Sequence, residues 1–223
     1  MNLQIKPNLK AKIYKIGDLL VKCENKCSGI LKDQINGILP RCLILEMDNR
    51  QGPIGCAIVG LNPGHSKNRE RNYYVINGQS YDKVVECWNT LFKNVKYYKS
   101  LRKIADELGF NGPILWTDLV KCETEPKFAL PPLQTFRNCT KTFLQSELEL
   151  IDPKWPIIAV GKEAYKALAY LFPNRIIIGV PHPTGSYGHF SRLFDKNLYL
   201  REELKIPFDE LWNNDVGNVI WLK

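Results

Sequence analysis

Four short apolar runs, each bounded by glycine, proline or a polar residue and separated by stretches of helical periodicity, constrain this chain more than any other feature. Residues 53–60 (PIGCAIVG) form the first run, Pro113–Val120 (PILWTDLV) the second, Ile157–Val160 the third and Ile176–Val180 the fourth. Ser80–Phe92, Tyr98–Leu108 and Lys162–Phe172 read as helices, with Gly109 a helix stop. Phe136, Cys139, Phe143, Leu144, Leu148 and Ile151 recur every three to four residues over Leu133–Ile151, an amphipathic helix ending before Asp152-Pro153. Strands alternating with helices make a parallel sheet covered on both faces. The expected architecture is therefore a three-layer α/β/α sandwich with a short, mostly parallel four-stranded central sheet. No repeat, linker or low-complexity block divides residues 1–223, which read as a single domain.

In such a sheet, ligands bind beyond the carboxyl ends of the strands, where Leu61-Asn62-Pro63-Gly64, Asp118 and His182 all fall. Composition narrows the partner. Lys and Arg number 31 against 23 Asp and Glu, a formal charge of +8 that favours a polyanion. No apolar run approaches the roughly 18 residues of a membrane span, and the first residues lack a signal-peptide core, so a cytoplasmic protein with no membrane partner is expected. In a reducing compartment its seven cysteines read as scattered core thiols or as a thiolate metal site.

Two motifs at matching strand ends, Gly60-Leu61-Asn62-Pro63-Gly64 and His182-Pro183-Thr184-Gly185, together resemble the uracil-DNA glycosylase superfamily. Its first motif takes forms such as G-I-N-P-G, and its second H-P-S-P. Three further stretches extend the resemblance to roughly residues 20 to 195: Thr117-Asp118-Leu119-Val120-Lys121-Cys122, Cys139, and a strand ending in Gly161 before Lys162-Glu163-Ala164. These are similar to landmarks of the iron-sulfur-containing family 4 enzymes. That family carries Glu after the first Gly, where this chain has Leu61, so the catalytic apparatus reads as a hybrid.

Breaking an N-glycosidic bond builds positive charge on the deoxyribose and negative charge on the departing base, so a site must stabilise both and position a water. His182, if neutral, can donate a hydrogen bond to O2 of a leaving pyrimidine. The resemblance gives Asn62 the attacking water, and places Gly60 and Leu61 beside the base. Asp118 stands where many members have an Asn that reads uracil. An ionised carboxylate only accepts: it can take the N3 hydrogen of uracil but repels O4. Either the preferred base is not simply uracil, or Asp118 is protonated, or another group reads O4.

A flipped base also needs a stacking partner, for which Tyr74 is favoured over Tyr73, and Tyr187 in Gly185-Ser186-Tyr187-Gly188 is the expected wedge. With these, Pro63, Gly64, His65, Pro183 and Thr184 are expected to meet DNA, while Lys67, Arg69 and Arg71 can reach phosphates. Cys23, Cys27, Cys122 and Cys139 match the resemblance's [4Fe-4S] ligands, though the first two are spaced C-x3-C rather than C-x2-C, and zinc is the alternative occupant. Cys56 and Cys87 read as core thiols, Cys42 stays unassigned, and Phe208–Lys223 reads as a packed tail. The implied function is a monofunctional DNA glycosylase, a monomer acting on DNA with a deaminated base, uracil first. A glycosylase for hypoxanthine or a modified pyrimidine and a non-catalytic DNA-binding protein remain the alternatives.

Overall fold

The computed structural model describes residues 8–184, 188–205 and 219–223. Its strands are β1 (Ile30–Leu31), β2 (Leu43–Glu46), β3 (Cys56–Gly60), β4 (Ile114–Asp118), β5 (Glu123–Thr124), β6 (Ile157–Val160), β7 (Ile177–Val180) and β8 (Val219–Trp221). The helices are α1 (Leu9–Val21), α2 (Asn68–Asn77), α3 (Tyr81–Cys87), α4 (Lys96–Glu107), α5 (Leu133–Cys139), α6 (Gln145–Leu150) and α7 (Lys162–Leu171). A π-helical turn, Trp88–Phe92, extends α3, and another, Thr140–Leu144, joins α5 to α6, so the periodic stretch beginning at Leu133 is one continuous helical run.

The central sheet runs β2-β4-β3-β6-β7-β8, with β2 antiparallel to β4 and every other pair parallel. The expected strands form its middle, but the sheet is six-stranded and mixed rather than four-stranded. The two additions are the edges. β2 is too short for periodicity to mark, and β8, three residues from the supposed tail, pairs beside β7. A separate two-stranded ribbon pairs β1 with β5.

Every residue of β3, β4, β6 and β7 is buried, which explains why their sequences are continuous apolar runs rather than alternating ones. Glu46 on β2 is tolerated in this setting because Arg102 of α4 binds both its carboxylate oxygens at 2.8 and 3.0 Å and Trp116 Nε1 donates at 2.8 Å. That clamp fixes α4 against the sheet. Register then levels the strand ends: Gly60 pairs with Asp118 across β3 and β4, and Val160 with Val180 across β6 and β7. Asn62 and His182 each follow two residues beyond their strand, so they emerge over the same edge.

Candidate active site

A cavity of about 330 Å³ opens at that edge, and Gly60, Asn62, Asp118, His182 and Thr184 all line it. The Asn62 side-chain nitrogen donates to Thr124 Oγ1 at 3.1 Å and to the Pro63 carbonyl at 3.0 Å. Both amide hydrogens are thus engaged, and the amide oxygen is left as an acceptor for a water. At His182, Nδ1 accepts the Thr184 backbone N–H at 3.2 Å, which assigns the proton to Nε2. Burial lowers the His182 pKa, so the ring is a neutral donor at pH 7.

Asp118 is 7% exposed, and burial pushes its carboxyl up to about 6, against the opposing hydrogen bond from Cys42 and the charges of Lys121 and Arg41. The Cys42 thiol is held well above its usual range by burial and by Asp118, so it remains an S–H donor to the carboxylate. Gly60 leaves room for this carboxyl: a Cβ at that position would lie 2.3 Å from Asp118 Oδ1 and force it to turn. Tyr97, in the first turn of α4, completes the group, its ring centroid 5.3 Å from that of His182.

The loop after β3 is held from below by buried charge. Arg41 contacts Glu70 Oε1 at 2.8 Å and Glu123 Oε1 at 2.8 Å, and donates to the Gly64 carbonyl at 2.6 Å. Glu123 also accepts the Ser66 N–H at 2.9 Å, and its other oxygen lies 3.3 Å from His65 Nδ1. Burial outweighs Arg41 at Glu70, whose carboxyl is pushed up. Glu123 is buried too, but Arg41 and its bonds with Ser66 hold it below the usual range.

The structure thus brings Gly60, Asn62, Pro63, Gly64, His65, Asp118, His182 and Thr184 to one cavity. Tyr74 also lines it, but is 2% exposed and packs edge-on against Tyr73 at 5.7 Å. Leu61 does not line the cavity: its side chain packs on the core and its carbonyl accepts the Val120 N–H at 2.9 Å. Pro183 is half-buried outside the lining. Gly185, Ser186 and Tyr187, the expected wedge segment, lie outside the described residues. Lys67 and Arg69 are exposed, whereas Arg71 donates to Ser66 Oγ at 2.9 Å. Cys56 and Cys87 are fully buried. Sequence reasoning missed Cys42, Tyr97, Arg41, Glu70, Glu123 and Thr124, none of which lies in a recognisable motif.

Cys23, Cys27, Cys122 and Cys139 line a second, small cavity together, with Ile30 of β1. Burial, then the neighbouring Cys139, Cys23 and Cys27, pushes the Cys122 thiol up to about 12. Such a donor set suits a thiolate-bound group. Among the described residues, however, no group of three or more His, Cys, Asp or Glu side chains closes on a single metal ion.

The sequence model of one protein family, the uracil DNA glycosylase superfamily, matches residues 54–203, the stretch that includes β3, β4, β6, β7 and both motif loops. No curated protein matches the chain. The match spans more than half of the chain, the sheet edge it covers holds Asn62, Asp118 and His182 over one cavity, and the chain belongs to the uracil DNA glycosylase superfamily.

Proposed function

We propose that this protein is a monofunctional DNA glycosylase that extrudes a deaminated base, uracil in the first instance, and hydrolyses its N-glycosidic bond. The observation that carries this reading is the pairing of a neutral Nε2–H donor at His182 with an Asn62 amide whose nitrogen is already bound, both on one cavity. As the bond to C1′ breaks, its electron pair moves onto the base, and His182 stabilises the charge gathering on O2. Asn62 Oδ1 accepts a hydrogen bond from the water that attacks C1′ from the other side, and Thr124 keeps that oxygen facing the water. An amide is no base, so the water keeps its proton until it bonds to carbon and then gives it to solvent, from which the departed base anion takes one, and most of the acceleration falls to stabilisation of the leaving base.

The direct test incubates the protein with oligonucleotides carrying a single uracil and cleaves abasic products with alkali. Release of uracil is expected, with His182→Ala slower by about a hundredfold to a thousandfold, the usual effect of removing one donor to a developing anion. Asn62→Ala is expected to cost about a hundredfold through misplacement of the water. Binding of duplex DNA with no release of any altered base would overturn the reading.

The four cysteines hold a [4Fe-4S] cluster in this proposal, a reading supported by their convergence on one small cavity and by their match to the four-thiolate pattern of the iron-sulfur members. When bound, the cluster supplies positive charge to four thiolates and ties the segment around Cys23 and Cys27 to the strand that follows Cys122. A brown preparation with roughly four irons per chain is expected when the protein is made without oxygen. Zinc on elemental analysis would overturn this assignment.

A further inference from the structure

The wall of the four-cysteine cavity carries a cation whose charge no carboxylate offsets. Lys32 lines that cavity with Cys23, Cys27, Cys122 and Cys139. Its Nζ donates to the Cys23 carbonyl at 2.7 Å and to the Asn25 carbonyl at 3.3 Å, and no acidic side chain pairs with it among the described residues. Lys121 lines the same cavity, but its Nζ is already bound to Glu147 Oε2 at 2.6 Å. The two lysines therefore differ: the Lys32 charge is left to the cavity, and that of Lys121 is spent on its partner.

Backbone pairing explains why Lys32 stands there. In the ribbon of β1 and β5, Ile30 pairs with Thr124 and Leu31 with Glu123. One step further along that antiparallel register Lys32 comes opposite Cys122, and residues opposite one another project from the same face. From there its ammonium reaches the Cys23–Cys27 loop, where the carbonyls of Cys23 and Asn25 take two of its hydrogens. The far end of that loop is tied separately, by Thr135 Oγ1 of α5 donating to the Ser28 carbonyl at 2.7 Å. Burial foremost pushes the Cys27 and Cys122 thiols up, and the Lys32 charge opposes that rise at both. One side chain thus joins the loop that carries the first two cysteines to the strand that follows the third.

We infer that Lys32 is a positioning residue for a cluster held by these cysteines: it closes the Cys23–Cys27 loop and counters the negative charge that four thiolates bring. This rests on the cluster reading above and concerns how this chain keeps and tunes the group. A cation close by favours whichever oxidation state is the more negative, so Lys32 raises the one-electron reduction potential. Closing the loop also slows the loss of iron, because Cys23 and Cys27 stay in place when one bond to metal opens.

The native protein, Lys32→Met, Lys32→Arg and Lys26→Met are compared after preparation without oxygen. Lys32→Met keeps the stem and removes the charge and the donors, while Lys26 is an exposed lysine of the same loop that does not line the cavity. Protein-film voltammetry is expected to show the Lys32→Met potential lowered by about tenfold in the reduction equilibrium, or about 59 mV for one electron. Its iron is expected to pass to a ferrous chelator about tenfold faster, as when an outer partner of a metal ligand is removed. Lys32→Arg keeps the charge and is expected to stay within about threefold of the native protein in both measurements. Lys26→Met removes a charge that solvent already screens, and is expected to shift the equilibrium by less than about twofold. A potential unmoved in Lys32→Met, or moved as far in Lys26→Met, overturns the role of Lys32 and leaves the cluster reading standing. If Lys32→Met holds no iron, Lys32→Arg decides: iron kept at the native potential supports the inference, and iron absent there too overturns it. A native protein that binds no iron overturns the cluster reading and the inference with it.

Discussion

Asp118 is held where its charge is expensive. With a folded pKa of about 6 against an ordinary value of 3.8, the folded state binds this proton more tightly than the unfolded chain does. Stability from this group is therefore full below the unfolded value and falls as pH rises to about 6. Asp118→Asn is expected to stabilise the protein at pH 7 by something of the order of 3 kcal/mol, read from denaturant unfolding. The same substitution tests base reading. A protonated Asp118 offers both an acceptor and a donor, as Asn does, whereas the ionised form only accepts. Uracil release by the native protein should rise as pH falls through about 6, and the Asn variant should lack that step and outpace it at pH 8. A step that survives in the variant would assign it to another group, His182 foremost, which gains a proton and a positive charge beside the leaving base on the acid side of its lowered pKa.

Asn62, Asp118 and His182 were legible in the sequence because each sits at the end of an apolar run, where strand chemistry gives way abruptly to polar residues. Their partners were not. Thr124 reaches Asn62 from 62 residues away and Arg41 reaches Glu123 across 82, and no local pattern marks a pairing made only by the folded chain. Cys42 was unreadable for a further reason: it adopts φ 73°, a left-handed conformation that nothing in its neighbours announces.

Among the elements, the core strands were legible from burial on both faces, and β6 has the bounds its apolar run predicts. β2 was hidden because it is four residues long and holds a charged residue whose partners, Arg102 and Trp116, come from α4 and β4. The buried clamp of Arg41, Glu70 and Glu123 joins α2 and β5 beneath the loop after β3. Removing one member strands a charge in the interior. Arg41→Ala is expected to destabilise the fold by about 3 to 5 kcal/mol and to depress uracil release more than a surface Arg→Ala does. Lys121, fully buried and 2.6 Å from Glu147 Oε2, forms a comparable pair at the far side of β4.

At the scale of the whole molecule, a formal charge of +8 and superfamily membership point to the same partner, the DNA backbone. Among the described residues no helix is long and apolar enough to cross a membrane. Log affinity for undamaged duplex is expected to fall linearly with log salt concentration. Replacing Lys67 and Arg69 by Gln should flatten that slope by roughly two if each neutralises one phosphate; an unchanged slope would place the contacts elsewhere.

Cys122, Glu123 and Thr124 are consecutive. The first walls the cysteine cavity, the second anchors the loop after β3, and the third orients Asn62. Strand residues alternate sides, so one extra residue before Thr124 would turn its hydroxyl away from Asn62. This stretch is therefore where the chain can least change its length. The loop after α7 is exposed at Pro173 and Asn174, so a one-residue insertion between those two should cost much less activity than one between Glu123 and Thr124.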